Sequence, residues 1–349
     1  MQHRIDAFVK LGTFLSQFST QEITKKENIE HNELFFDGFK HQIKIAQENN
    51  SWFTKENILF SLESWSKALT IENITKWTAL MPQNKSSKKV AIIMAGNIPL
   101  VGFHDFLSVL ISGHSVLVKQ SSNDKHLLSF LAKYLEYVEP SFKGNIEFTE
   151  KRLTNFEAVI ATGSTNTARY FEHYFKDKPS IIRKSRNSIA ILTGNETEDQ
   201  LTELSNDVFQ YFGLGCRNVS KLFVPKDYNF DAFFMGMYNK QEIINNAKYA
   251  NNYDYNKAIY LMSEFDILEN GFLMIKEDKS HASPIASIFY EYYDTIDTLK
   301  ATILEDSEKI QCIVSEGFSE SEVAFGQTQK PQLWDYADGV NTLEFLSKI

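Results

Sequence analysis

Cysteine is nearly missing from this chain: Cys216 and Cys312 are the only two in 349 residues, and they lie in different sequence contexts. Neither a disulfide framework nor a cysteine-rich metal site is expected, and a reducing cytoplasm is the natural setting. Long apolar runs are also missing. No stretch approaches the ~20 apolar residues of a membrane span. The N-terminus spaces Ile5, Phe8, Val9, Leu11 and Leu15 at helical intervals with polar residues between them. That is an amphipathic helix, not the unbroken apolar core of a signal peptide. Cationic residues are in deficit, 36 Lys and Arg against 45 Asp and Glu for a net charge of −9. A nucleic-acid partner, whose phosphates call for a basic surplus, is not expected. Anionic cofactors stay compatible, because a few local groups hold them. The eight histidines form no HxxxH-like pair, so no metal site is expected. Neither a GxGxxG segment nor a P-loop occurs, which removes the ordinary Rossmann and NTPase readings. Internal repeats and low-complexity tracts are absent too.

What is present is an ordinary globular composition, 43% hydrophobic and 23% charged, long enough for two domains. Residues 1 to about 88 read as mostly helical, with Trp52, Trp65 and Trp77 as anchors, and end in a polar hinge, Gln83-Asn84-Lys85-Ser86-Ser87-Lys88. From Val90 short apolar runs alternate with amphipathic segments. Strands are predicted at Val90–Met94, Ser115–Lys119, Ala158–Ala161 and Ile189–Leu192, and helices at Pro99–Leu110, Asn123–Val138 and Thr165–Phe175. Apolar strands separated by helices make a parallel sheet covered on both faces. A second unit is predicted from Gly194, so that residues 1–193 and 194–349 form two domains. In it a helix Asp199–Phe212 leads into Gly213-Leu214-Gly215-Cys216. Strands follow at Lys221–Val224, Phe272–Ile275, Ile285–Tyr290 and Ile310–Val314. The final Asp338–Ile349 segment is short enough to pack on a neighbour.

Among residues able to carry chemistry, Cys216 stands out, with glycines before it that let a substrate approach the backbone and Arg217 after it. Positive charge and backbone N–H groups favour the reactive thiolate; the bland alternative is a buried small hydrophobe. Cys312 alternates as a strand core residue in Lys309-Ile310-Gln311-Cys312-Ile313-Val314. Asn97, in Ala95-Gly96-Asn97-Ile98-Pro99-Leu100, directly follows a strand. Its side chain suits either an oxyanion donor or a helix cap. Thr162-Gly163-Ser164 joins a strand to a helix, where backbone N–H groups suit a pyrophosphate. Lys119 ends a strand, in reach of a ribose or phosphate. His104 and Asp105 read as an acid–base pair or as polar positions early in a helix. The basic run Ile182-Arg183-Lys184-Ser185-Arg186-Asn187 reads as a phosphate contact or as a solvated turn.

The order and spacing of four of these positions matter more than any one of them. Asn97 in Gly-Asn-Ile-Pro-Leu, Lys119 ending Val-Leu-Val-Lys, Thr162-Gly163-Ser164, and Cys216 after Gly-Leu-Gly follow in sequence the pattern of the aldehyde dehydrogenase superfamily. The resemblance spans about residues 89–225, with a weaker likeness over Ala286–Leu299. Within the superfamily the chain most resembles the LuxC-type acyl-CoA reductases, on Asn187-Ser188-Ile189-Ala190-Ile191-Leu192 and Cys216-Arg217-Asn218-Val219-Ser220.

The resemblance implies an aldehyde dehydrogenase-like α/β fold, with two parallel-sheet domains and an N-terminal helical region. It implies that Cys216 takes the acyl group from an acyl-CoA or carrier-protein thioester. The Asn97 amide and the Cys216 N–H would hold the oxyanion. Lys119 would contact the ribose of the cofactor, and Thr162, Gly163 and Ser164 would line its pyrophosphate or nicotinamide side. Two departures from the superfamily pattern carry information. Aldehyde-oxidising relatives have a general-base Glu where Ile182 aligns here, so hydrolysis of the acyl-enzyme is not supported. Relatives preferring NAD often have a Glu three residues after the lysine. Ser122 stands there and does not repel a 2′-phosphate, so NADPH is expected, with NADH open. A Glu-x-Phe-Gly-Pro segment is missing, with Ser283-Pro284 its nearest trace. A homodimer is expected by analogy with relatives. An acyl-phosphate reductase of the glutamyl-phosphate kind and a non-catalytic binding protein remain alternatives.

Overall fold

The computed structural model describes residues 1–81 and 86–349. Of the polar hinge at 83–88, residues 83–85 lie outside the described residues. The chain divides into two compact units, residues 1–184 with 332–349, and residues 185–331. The division falls at 184/185 and not at 193/194, because the strand over residues 187–191 hydrogen-bonds into the sheet of the second unit.

Four helices open the first unit: α1 (Gln2–Leu15), α2 (Asn32–Asn49), α3 (Lys55–Ala68) and α4 (Ile71–Thr78). Thr54 and Thr70 cap α3 and α4 by accepting from the third N–H of each helix. A β/α alternation follows: β1 (Lys89–Ile93), α5 (Phe103–Ile111), β2 (Ser115–Lys119), α6 (Leu127–Val138), β3 (Ile146–Phe148), β4 (Ala158–Thr162), α7 (Thr165–Tyr174) and β5 (Ser180–Arg183). The strands pair in parallel in the order β3-β2-β1-β4-β5. The edge strands β3 and β5 carry no apolar run long enough to be read from sequence. Period-2 alternation divides β1 and β4 between two faces. Val90, Ile92 and Ile160 join the large core with the helices, while Ala91, Val159 and Ala161 pack with Phe156 on the other face. The helical layer is aromatic: Phe14 of α1 stacks on Tyr134 of α6 with ring centroids 4.6 Å apart.

The second unit runs β6 (Asn187–Ile191), α8 (Glu198–Phe209), β7 (Val219–Pro225), α9 (Phe230–Met237), α10 (Ala247–Met262), β8 (Ile267–Glu269), β9 (Met274–Glu277), β10 (Ser287–Tyr293), α11 (Ile296–Glu305) and β11 (Ile310–Val314). Its sheet has the order β11-β6-β7-β10-β9-β8 and is parallel except for the antiparallel edge strand β8, so it is mixed. Helix α8 stops at Phe209, short of Phe212, because Tyr211 and Phe212 adopt left-handed conformations with φ of 55° and 59°.

The last segment packs on its own chain. Helix α12 (Thr342–Ser347) and its approach return to the first unit, where Leu333, Leu343 and Leu346 join the core. No described helix is long and apolar enough to cross a membrane.

Candidate active site

In the first sheet the chain runs outward from β1 through β2 to β3, then returns to the other side of β1 at β4. The strand order therefore reverses between β1 and β4. Loops leaving the C-terminal ends of strands at such a point splay apart, and the crevice between them is where open α/β sheets bind ligands. The loops found there carry residues 94–100 and 162–164, and the loop after neighbouring β2 carries residues 120–126.

Asn97 is exposed on the β1 loop. It does not cap α5: that helix begins at Phe103 with Gly102 at its cap, because Leu100 is left-handed at φ 58° and interrupts the start read at Pro99. Gly96 is fixed by space, since a Cβ there would lie 2.5 Å from the Cβ and Oγ of Ser121. The β1 and β2 loops are thus in direct contact. Lys119, half-buried at the end of β2, donates from Nζ to the Lys151 carbonyl at 3.3 Å, and Ser122 is exposed. Helix α6 begins at Leu127 and not at Asn123, because residues 121–124 form a turn in which the Asp124 N–H donates to the Ser121 carbonyl at 3.2 Å.

After β4, Thr162 is half-buried and Ser164 caps α7, accepting from the Thr167 N–H at 3.2 Å. The Gly163 N–H is spent on the Arg183 carbonyl at 3.2 Å. A Cβ on Gly163 would press on Thr167 and Phe171 at 3.0–3.1 Å, so glycine lets the helix start close to the strand. An anion here is left the N–H groups of Thr165 and Asn166, both exposed.

In the second unit Cys216 is exposed and Cys312 is buried in β11. The loop bearing Cys216 is held by Asn218, which is 2% exposed. Its Oδ1 accepts from the Gly215 N–H at 2.8 Å, and its Nδ2 donates to the carbonyls of Asp207, Val208 and Gln210 at 3.0, 3.3 and 2.9 Å. The Ser188 hydroxyl donates to the Cys216 carbonyl at 3.0 Å, so the Asn187-Ser188 and Cys216-Arg217-Asn218 motifs meet in space. The Arg217 Nε donates to the Thr328 carbonyl at 2.6 Å. Thr328 is in turn bound to the buried Asp207 carboxylate through its N–H and hydroxyl, at 2.9 and 2.8 Å. Burial pushes the Asp207 carboxyl above its usual range, against the pull of its hydrogen bonds from Thr328 and Gly326. Three consecutive positive φ values, at Tyr211, Phe212 and Gly213, bend the chain into this loop. For the two non-glycine residues that bend costs about 1–2 kcal/mol each. Asp207 and Asp124 are absent from the residues singled out by motif, and Asn218 appears there only within the Cys216–Ser220 run, with no role of its own. A polar residue beside a nucleophile has no periodic signal, and its partners are far along the chain.

Other candidates resolve as structural. Asp105 is buried with Arg183, their Oδ1 and NH2 atoms 2.7 Å apart. The same guanidinium donates to the Ala337 carbonyl at 2.7 Å and to the Thr342 hydroxyl at 3.1 Å. The His104 Nε2 lies 2.8 Å from the Leu333 carbonyl, and burial holds the imidazole pKa below its usual range. This pair anchors the C-terminal segment. In the basic run Ile182 and Arg183 end β5, Asn187 starts β6, and Lys184 between them pairs with Glu172 at 2.7 Å. Ile182 packs on the apolar cluster of Ala91, Phe156 and Val159. Ser283 and Pro284 lie in the loop before β10, where the Ser283 hydroxyl donates to the Ser287 carbonyl at 2.7 Å.

A family model, acyl-CoA reductase (LuxC), matches residues 40–234, which is more than half of the chain. The chain belongs to the LuxC acyl-CoA reductase family. The matched stretch takes in Asn97, Lys119, Thr162–Ser164 and Cys216. Among curated proteins no relative matches. Among solved structures the fold is that of aldehyde dehydrogenases. Aldehyde dehydrogenase 21 of Physcomitrella patens, in complex with the reaction product succinate, is 11% identical with a TM-score of 0.63, covering 90% of this chain and 73% of that one. The NAD+ complex of an aldehyde dehydrogenase from Bacillus cereus is 12% identical with a TM-score of 0.59, covering 89% and 70%. An aldehyde dehydrogenase from Mycobacterium tuberculosis complexed with NAD+ is 12% identical with a TM-score of 0.61, covering 89% and 72%. Family and fold together make the chain an oxidoreductase of the kind that acts on acyl and aldehyde groups.

Proposed function

We propose that the protein is a cytoplasmic acyl-thioester reductase that releases an aldehyde, with Cys216 as nucleophile and NADPH as reductant. The observation that carries this reading is an exposed thiol on a loop pinned by Asn218, inside the stretch matched by the family. The Cys216 thiolate attacks the carbonyl carbon of the thioester. The Cys216 N–H donates to the tetrahedral oxyanion; the family resemblance implies the Asn97 amide as a second donor, and one such donor is worth roughly 3–4 kcal/mol. The C–S bond to coenzyme A breaks, its thiolate leaves, and an acyl-cysteine remains. NADPH, when bound, supplies the hydride. As the aldehyde is released Cys216 departs as a thiolate, and the Asn97 amide stabilises the oxygen a second time.

The residues present fit a dinucleotide. The switch point of the first sheet bears the exposed first turn of α7, a half-buried lysine at the end of β2 and the neutral Ser122. Lys119 and Ser122 would hold the adenosine ribose, and a 2′-phosphate meets no carboxylate at residue 122. Thr162, Gly163 and the N–H groups after Ser164 would line the pyrophosphate side. Ile182, packed among apolar side chains, offers no base to activate water, so the acyl-cysteine survives until it is reduced.

The test is a spectrophotometric assay of NADPH oxidation, with NADH alongside, against acyl-CoA substrates of graded length and against glutamyl phosphate. Cofactor consumption with acyl-CoA by the wild type and none by Cys216→Ala is expected. Undiminished turnover in the variant overturns the mechanism, and activity on glutamyl phosphate alone favours an acyl-phosphate reductase.

A further inference from the structure

The turn that bears Asn97 is strained and held from outside. Leu100 is a buried γ-branched residue at φ 58°, a conformation that costs an L-residue about 1–2 kcal/mol. Two groups fix it. The Ser61 hydroxyl of α3 donates to the Pro99 carbonyl at 3.0 Å, and the Leu100 N–H donates to Asp124 Oδ2 at 2.8 Å. Asp124 is itself anchored: its carbonyl accepts from the Gln120 side chain at 3.1 Å, and the carbonyl of Asn123 before it accepts from Asn50 at 3.4 Å.

Asp124 is 9% exposed, and its second carboxylate oxygen is buried with no hydrogen-bond partner in the protein. A buried carboxylate with one oxygen left over costs stability. A neutral acceptor would bond the Leu100 N–H without that cost. What the charge adds is a stronger bond, about twice a neutral one, at the backbone position the turn most needs held. The Gly96–Ser121 contact brings the same two loops together, four residues before Leu100 and three before Asp124.

We propose that Asp124 is a positioning residue for the reaction: its carboxylate holds Leu100 left-handed and thereby sets the turn that presents the Asn97 amide. This rests on the reading of Asn97 as the oxyanion donor. The test is steady-state kinetics of acyl-CoA-dependent NADPH oxidation on the full chain, comparing Asn97→Ala, Asp124→Ala, the double variant and Asp124→Asn. Asp124→Ala should lower kcat roughly tenfold to a hundredfold, the scale of a misplaced oxyanion donor, and leave the KM for NADPH within about twofold. The double variant should be no slower than Asn97→Ala, because the carboxylate acts through that amide. Asp124→Asn keeps an acceptor for the Leu100 N–H and should recover most of the loss. It also answers the case in which Asp124→Ala does not fold.

Losses that multiply in the double variant, a change confined to KM, or Asp124→Asn as slow as Asn97→Ala would overturn the positioning role while leaving the reductase reading intact. Full activity of Asn97→Ala would overturn the oxyanion assignment and this inference with it.

Discussion

A carboxylate with one oxygen buried and unpaired also titrates away from its ordinary range. Burial pushes the Asp124 pKa from the usual 3.8 up to about 6, and the hydrogen bond from Leu100 only partly opposes this. The folded chain therefore binds this proton more tightly than the unfolded chain. Its contribution to stability grows as the pH falls from about 6 toward 4, and above 6 the full penalty is present. A difference of about two pKa units is worth roughly 3 kcal/mol. Asp124→Asn should accordingly raise the melting temperature at pH 7–8, and its advantage should vanish below about pH 4, where the native acid is also neutral. An unchanged melting temperature at pH 8 would show that the carboxylate is better solvated than its burial implies. Ile182 offers a second test at this scale. Ile182→Glu should release free acid slowly from the acyl-enzyme, measured by chromatography of the products, and an unchanged rate of acid release counts against the alignment that put a base there.

Among the elements, the Cys216 loop is irregular backbone held mainly by a single side chain. Asn218 is itself buried and bonds four backbone groups, two of them through fully buried bonds. Asn218→Ala should destabilise the second unit by about 2–4 kcal/mol, the cost of several buried polar groups left unmade. It should also change the alkylation rate of Cys216 by a thiol reagent while buried Cys312 stays slow. Equal labelling of wild type and variant would mean the loop keeps its shape without the clamp. The loop also shows what the sequence could and could not tell. Ser115–Lys119 was legible because its apolar run is continuous and buried on both faces, and Ile310–Val314 because its buried residues alternate. Three of the four motif positions stand at strand ends in a fixed order, and Cys216 stands between α8 and β7 after Gly-Leu-Gly. Illegible were Tyr211, Phe212 and Leu100, whose left-handed backbone ends or delays a helix that their side chains favour. Also illegible were β3, β5 and β8, edge strands of three or four residues. Asp124 and Asp207 act through backbone partners that no spacing rule connects to them.

For the whole molecule, the chain closes its first unit with its last 18 residues, 332–349. Three buried leucines contribute to the apolar side of that closure, and on the polar side His104 holds the Leu333 carbonyl while Arg183 joins Asp105 of α5 to Ala337 and Thr342. Neither ion of the Arg183–Asp105 pair is more than about a tenth exposed, so it belongs with buried pairs, whose attraction barely offsets desolvation but which are costly to break on one side. Arg183→Leu leaves the Asp105 charge buried and abandons two acceptors on the returning segment. It should destabilise by about 3–5 kcal/mol, visible as a lowered urea midpoint. Adding Asp105→Leu should recover a good part of that loss, because the orphaned charge is then gone. Deleting residues 332–349 removes the leucines as well, and should lower the midpoint further than Arg183→Leu alone. If the single and double variants melt together, the pair is not what ties the C-terminal segment to the unit, and the apolar contacts and the His104 bond carry the closure.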